Sequence, residues 1–115
     1  MHELSIALSI IEMAEEEAER RGNARVDAIH LKLGPLSGIV PEALLSAYEL
    51  ACERTRLAGS KLMIETIPVL VYCPACQAQR VLKSIQSFCC PECGTLTPDV
   101  RQGRELEVVA LELRE

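Results

Sequence analysis

Between Leu4 and Ala18, apolar residues recur at spacings of three and four: Leu4, Ala7, Leu8, Ile11, Ala14 and Ala18. Glu12, Glu15, Glu16 and Glu19 occupy the other faces, so the pattern predicts an amphipathic helix of about four to five turns, with Glu15 to Glu17 as solvated face. Glu3 stands at its positive end, Arg20 and Arg21 at its negative end, and Gly22 is suited to terminate it. From Arg25 to Leu33 the period becomes two in the second half, with Ile29, Leu31 and Leu33 facing one way and His30 and Lys32 the other. This predicts a strand with one buried face, stopped by Gly34-Pro35.

Pro41 suits the first position of a second helix, whose stripe Leu44, Ala47, Tyr48 and Ala51 is expected to run on until Gly59. Leu62 to Tyr72 reads as a second strand and Glu105 to Leu113 as a third, with the cysteine-rich stretch 73–99 between them. A small three-stranded sheet with both helices on one face would bury every stripe, which predicts a two-layer α/β (α+β) fold. On this reading residues 1–70 and 100–115 form the α/β domain, and residues 71–99 form an inserted zinc-ribbon-like subdomain.

Size and charge narrow the function. A chain of 115 residues leaves no room for a barrel or a full dinucleotide-binding domain. Twelve Lys and Arg against seventeen Asp and Glu give a net charge of −5, which disfavours nucleic-acid binding. Three aromatics, Tyr48, Tyr72 and Phe88, make a poor supply of stacking platforms for single strands. The start is apolar but lacks a basic leading segment and a small-residue cleavage site, and it runs straight into the glutamates. No segment approaches the roughly 20 apolar residues of a membrane span, so a cytoplasmic protein without membrane or nucleic-acid partners is expected.

Six cysteines in a reducing compartment point to thiols or metal ligands rather than disulfides. Cys73-Pro74-Ala75-Cys76 and Cys90-Pro91-Glu92-Cys93 are two C-P-x-C pairs separated by thirteen residues, the spacing that offers four thiolates to a tetrahedral zinc. Gly94 after the second pair permits the left-handed backbone that lets amides point at sulfur, and Gln77 takes that place after the first. Four thiolates leave zinc no open position, so the site would staple the fold rather than catalyse, and it would shift the net charge from −5 to about −7. A single iron, as in rubredoxin-like electron carriers, is the rival occupant, and a bare zinc-ribbon interaction module is a rival role. Cys89 is left as a spare thiol or substitute ligand, and Cys52, on an Ala- and Leu-rich stripe, reads as buried packing.

Met1-His2-Glu3 is a second constellation. A free terminal amine, the His2 amide nitrogen and His2 Nδ1 close adjacent chelate rings, and such nitrogen-rich planar sites favour Ni(II) or Cu(II). The Glu3 amide could complete the square, with its carboxylate close by. Alone, a histidine at position two is commonplace, and His30 reads as an ordinary solvated or satisfied strand histidine. No nucleophile and base pair, phosphate loop or open metal site argues for an enzyme.

Taken together, Met1-His2-Glu3-Leu4-Ser5 opening a helix, Gly34-Pro35-Leu36 after the first strand, a Pro41-Glu42 helix and two C-P-x-C pairs before a final strand resemble the HypA family of nickel metallochaperones. The resemblance covers essentially the whole chain. It implies nickel at Met1, His2 and Glu3 and zinc at Cys73, Cys76, Cys90 and Cys93. It further implies maturation of nickel-iron hydrogenase and, in some organisms, urease. The implied partners are the maturation GTPase HypB and the hydrogenase large subunit or its maturation complex, met by a monomer or weak homodimer.

Overall fold

A computed structural model describes residues 2–115, with side chains from Glu3 onward. In chain order the elements are α1 (His2–Arg20), β1 (Arg25–Leu33), α2 (Pro41–Cys52), β2 (Lys61–Thr66), β3 (Leu70–Cys73), β4 (Ala78–Val81), β5 (Val100–Gln102) and β6 (Leu106–Arg114), with a 3-10 turn at Pro35–Ser37. They fall into two compact units. The first comprises Met1–Lys32, Ile39–Glu65 and Glu107–Glu115, and the second Leu33–Gly38 and Thr66–Leu106.

The first unit follows from the apolar periodicities. In α1 Ala7, Ile11, Ala14 and Ala18 of the expected stripe are buried, together with Ile10, whereas Leu4 and Leu8 of that stripe are exposed; the helix packs against α2, which buries Leu44, Tyr48 and Cys52. The sheet runs in the order β2-β1-β6, and the central β1 buries Val26 and Ala28 as well as Ile29, Leu31 and Leu33. His30 lies half-buried on this strand with its Nε2 against the Glu112 carboxylate, the satisfied histidine expected. Gly22 at φ +75 and Asn23 at φ +61 turn the chain out of α1, and the Ala24 amide reaches back to the Ala18 carbonyl at 3.1 Å. This is the helix end that the glycine signals.

Two boundaries differ from expectation. The α2 helix stops at Cys52 rather than near Gly59, because Glu53 turns extended and Arg54 takes φ +72. Thr55 then supplies its amide, at 2.9 Å, and its hydroxyl, at 2.8 Å, to the freed Cys52 carbonyl. The stretch Leu62 to Tyr72 is two strands in different sheets, not one. Pro68 has no N–H to give a ladder. The Ile67 amide bonds the Leu33 carbonyl before the break, and the Val69 carbonyl accepts the Leu82 amide after it.

Tyr48 shows how tightly the first unit is closed. Its ring is 3% exposed, and its hydroxyl lies 2.6 Å from Ser60 Oγ. Ser60 donates its own proton to the Leu57 carbonyl, so the phenol is the donor to Ser60. Burial pushes the Tyr48 phenol above its ordinary range. The neutral form is therefore the folded one, and its contribution is intact below an unfolded tyrosine's pKa of about 10 and is lost as pH rises past it. Tyr48→Phe is expected to cost about 1 kcal/mol at neutral pH. In urea titrations its stability should fall less steeply than the wild type's above about pH 10; parallel curves would contradict this.

The second unit is built on a separate antiparallel sheet in the order β4-β3-β5. Leu70 pairs with Val81 and Cys73 with Ala78, and a bulge separates the pairings Leu70 with Gln102 and Val71 with Val100. Val69, Val71 and Leu82 form its small core, with Leu36, Phe88 and Val100 packed against them. So few apolar residues need a further cross-link to hold a unit of this size.

Candidate metal centre

The β3–β4 hairpin sets the first cysteine pair. Cys73 ends β3, fully buried, and the chain turns through Pro74 and Ala75 so that the Cys76 amide points at Cys73 Sγ, 3.3 Å away. Gln77 completes the turn at φ +54, taking the left-handed conformation that Gly94 takes at φ +78 after the second pair. There the Glu92 amide points at Cys90 Sγ at 3.4 Å and the Gly94 amide bonds the Cys90 carbonyl at 2.8 Å. A narrow ladder steadies this second turn: Cys90 amide to Thr95 carbonyl, Thr97 amide to Phe88 carbonyl, and a bridge between Cys89 and Leu96.

These two turns bring the sulfurs of Cys73, Cys76, Cys90 and Cys93 within 4.8 Å of one another. Cys73 and Cys93 are 3.5 Å apart and Cys76 and Cys90 3.9 Å. Four sulfurs at about 2.3 Å from one tetrahedral ion stand about 3.8 Å apart, so the donor set fits such an ion in number, chemistry and size. All four are free thiols, and Cys89, although adjacent to Cys90, is not among the four that converge. Cys52 is buried in the first unit, in the packing role expected of it.

The surroundings act differently on the two pairs' thiols, favouring thiolate at Cys93 and Cys90 and disfavouring it at Cys76. Thr95, through its hydroxyl at 3.1 Å and its amide, holds the Cys93 thiol down to about 6. Arg80 draws the Cys76 thiol down, but the neighbouring Cys93 and Cys73 outweigh it and leave Cys76 raised to about 11. A bound cation would favour the thiolate form of all four. Neither Thr95 nor Arg80 stands out in the sequence. Arg80 takes its place through pairing with Val71, which no local pattern in the sequence announces.

Of the terminal constellation, Met1 and the His2 side chain lie outside the described residues. Glu3 lies in the first turn of α1, where hydrogen bonds from its own backbone amide and from that of Val40 hold its carboxyl below the ordinary range. The carboxylate sits at the helix's positive end.

A family model described as hydrogenase/urease nickel incorporation, metallochaperone, hypA matches residues 1–113. The chain belongs to the HypA family. The hydrogenase maturation factor HypA of Roseiflexus sp. strain RS-1 is 47% identical over 112 residues, covering 97% of this chain and 91% of its own. That of Chloroflexus aurantiacus strain J-10-fl is 46% identical, over 97% of this chain and 98% of its own. Among solved structures, the Ni metallochaperone HypA from Helicobacter pylori shares the fold at TM-score 0.63 and 22% identity, over 97% of each chain. A second HypA solution structure does so at 0.69 and 23%, over 98% of this chain and 96% of that one. A HypA protein is a maturation factor of the metallochaperone kind, not an enzyme. Among the described residues no helix is long and apolar enough to cross a membrane.

Proposed function

We propose that this HypA-family chain binds Ni(II) at Met1, His2 and Glu3, and that Cys73, Cys76, Cys90 and Cys93 hold a structural zinc. It hands the nickel on, in the cytoplasm and with the GTPase HypB, for maturation of nickel-iron hydrogenase, and of urease in hosts that make it. The family match across residues 1–113 carries this reading, because it spans both the Met-His-Glu terminus and the paired cysteines. The convergence of four sulfurs supports the zinc assignment, since thiolates in tetrahedral closure suit zinc and leave no position for exchange. Nickel, the cargo, needs the opposite: a site that a partner's ligands can approach. A terminal amine, an imidazole and a carboxylate at the start of α1 meet that requirement.

The test is a nickel titration by calorimetry on protein with a free Met1, on His2→Ala, and on protein extended at the amino end. Stoichiometric nickel binding in the first, and its loss in the other two with zinc content and helix content unchanged, is the expected result. Equal nickel affinity in all three would sink the terminal site. Metal analysis of the same samples separately reads the zinc assignment, which an iron-thiolate colour would contradict.

A further inference from the structure

Arg80 stands on β4 opposite Val71, two residues from the Ala78 that pairs with Cys73. Directly paired residues share a sheet face and the pleat repeats every two, so Arg80 lies on the same face as Cys73. That face is the inside of the second unit, since Val71 and Cys73 are both fully buried. That face turns the Arg80 guanidinium toward the sulfur cluster, where Cys76 and Cys90, one from each C-P-x-C pair, favour its charged form. Its Nε is buried without an acceptor, and among the described residues Arg80 forms no ion pair with a carboxylate.

Arg80 is half-buried, and a cation partly withdrawn from water gains from a nearby countercharge. The sulfur cluster is the one at hand, because four thiolates around a divalent ion carry a net charge of −2. We propose that Arg80 is a positioning residue that offsets this charge and locks the metal of the four-cysteine site against exchange. The inference rests on the zinc reading of that site. Exchange begins when a thiolate is surrendered to a competing metal or to an electrophile. A hydrogen bond from a guanidinium withdraws electron density from the sulfur and makes that surrender slower. Since Cys76 and Cys90 come from different turns, one side chain guards both. In a chain that also carries a second, mobile metal, the site keeps its own ion because its sulfurs are poor partners for anything else.

The experiment follows zinc transfer from the full zinc-loaded chain to excess 4-(2-pyridylazo)resorcinol, and alkylation of the four cysteines by iodoacetamide by mass spectrometry. Arg80→Gln is expected to release zinc and react with iodoacetamide about ten- to a hundredfold faster than wild type. Arg80→Lys, which keeps the charge, is expected to stay within a few-fold of wild type. Loss of zinc from Arg80→Gln alone, with Lys retaining it, would be the same result in stronger form. Arg80→Gln releasing zinc as slowly as wild type would overturn the role. So would a Lys variant as fast as Gln, or loss of zinc from both, since charge would then not be what matters. Wild type purified without zinc would instead overturn the zinc reading, and this role with it.

Discussion

Cys73→Ser is expected to strip the four-cysteine site of its metal and unfold the second unit while α1 and α2 stay formed. Cys73 is the most constrained of the four converging cysteines. It is fully buried, it closes β3, its sulfur accepts the Cys76 amide and it lies 3.5 Å from Cys93. Serine keeps the shape of the turn but offers a hydroxyl that remains protonated near neutral pH and binds zinc poorly. Structural zinc contributes an apparent 10 to 16 kcal/mol in small zinc-bound peptides, roughly the whole stability of an ordinary domain. The second unit has only a handful of core residues around Val69, Val71 and Leu82 to fall back on. The expected readings are zinc content near zero, lost amide protection across residues 70–102, and a far-ultraviolet helix signal close to wild type. Full zinc occupancy would show that the ligand set is wrong, and a collapse of helix content would show that the first unit cannot stand without the second.

Gly34→Ala is expected to be the most damaging substitution away from the cysteines. The backbone at Gly34 is ordinary, φ −94 and ψ 148, so any residue could adopt it. Space is what forbids a side chain. A Cβ there would lie 2.1 Å from the Gly103 carbonyl oxygen and 2.8 Å from the Arg104 nitrogen, with no flexible side chain to step aside. The two segments are tied by paired backbone bonds, Gly34 amide to Glu105 carbonyl and Leu36 amide to Gly103 carbonyl, both 2.8 Å. Relieving the clash means breaking these, at a cost on the order of 3 kcal/mol or more. Gly103 itself sits at φ +128 with a virtual Cβ 3.0 Å from Val69, so the segments cannot trade places to make room. Thermal melts should show Gly34→Ala falling well below Gly38→Ala, because Gly38 needs a left-handed backbone but has open space around it. Equal losses in the two would mean that the close approach is not decisive.

The parts of the fold that could be read in the chain are those decided locally. Gly22 and Pro41 mark helix boundaries through their own backbone preferences, and the alternation from Ile29 to Leu33 needs only one buried face. The two C-P-x-C pairs are likewise local, because a turn of four residues suffices to point amides at sulfur. What stayed hidden was decided at a distance. The three residues 67–69 carry the chain from one sheet to another, and the apolar run from Leu62 to Tyr72 does not announce it except through Pro68. Strands β4 and β5 have four and three residues, too short for any periodicity to show. Arg80 reads as one polar residue in a polar stretch until pairing with β3 sets its face. Gly34 reads as a strand stop, whereas its neighbour in space is a glycine some seventy positions later.

The two cysteine turns are each local in sequence, which bears on how the site would assemble. Each is closed by contacts within a few residues, the first by the β3–β4 hairpin and the second by the ladder from Phe88 to Thr97. Hairpins of this kind form in about 1 to 10 microseconds, before slower long-range pairings are complete. An arriving ion can therefore meet two transiently formed bidentate claws rather than four independent thiols. The remaining search is a single loop closure across the thirteen residues between Cys76 and Cys90, whose entropy grows only with the logarithm of length. Capture becomes a two-step event, grip and then clasp, and the short tether between the claws keeps the second step ahead of escape.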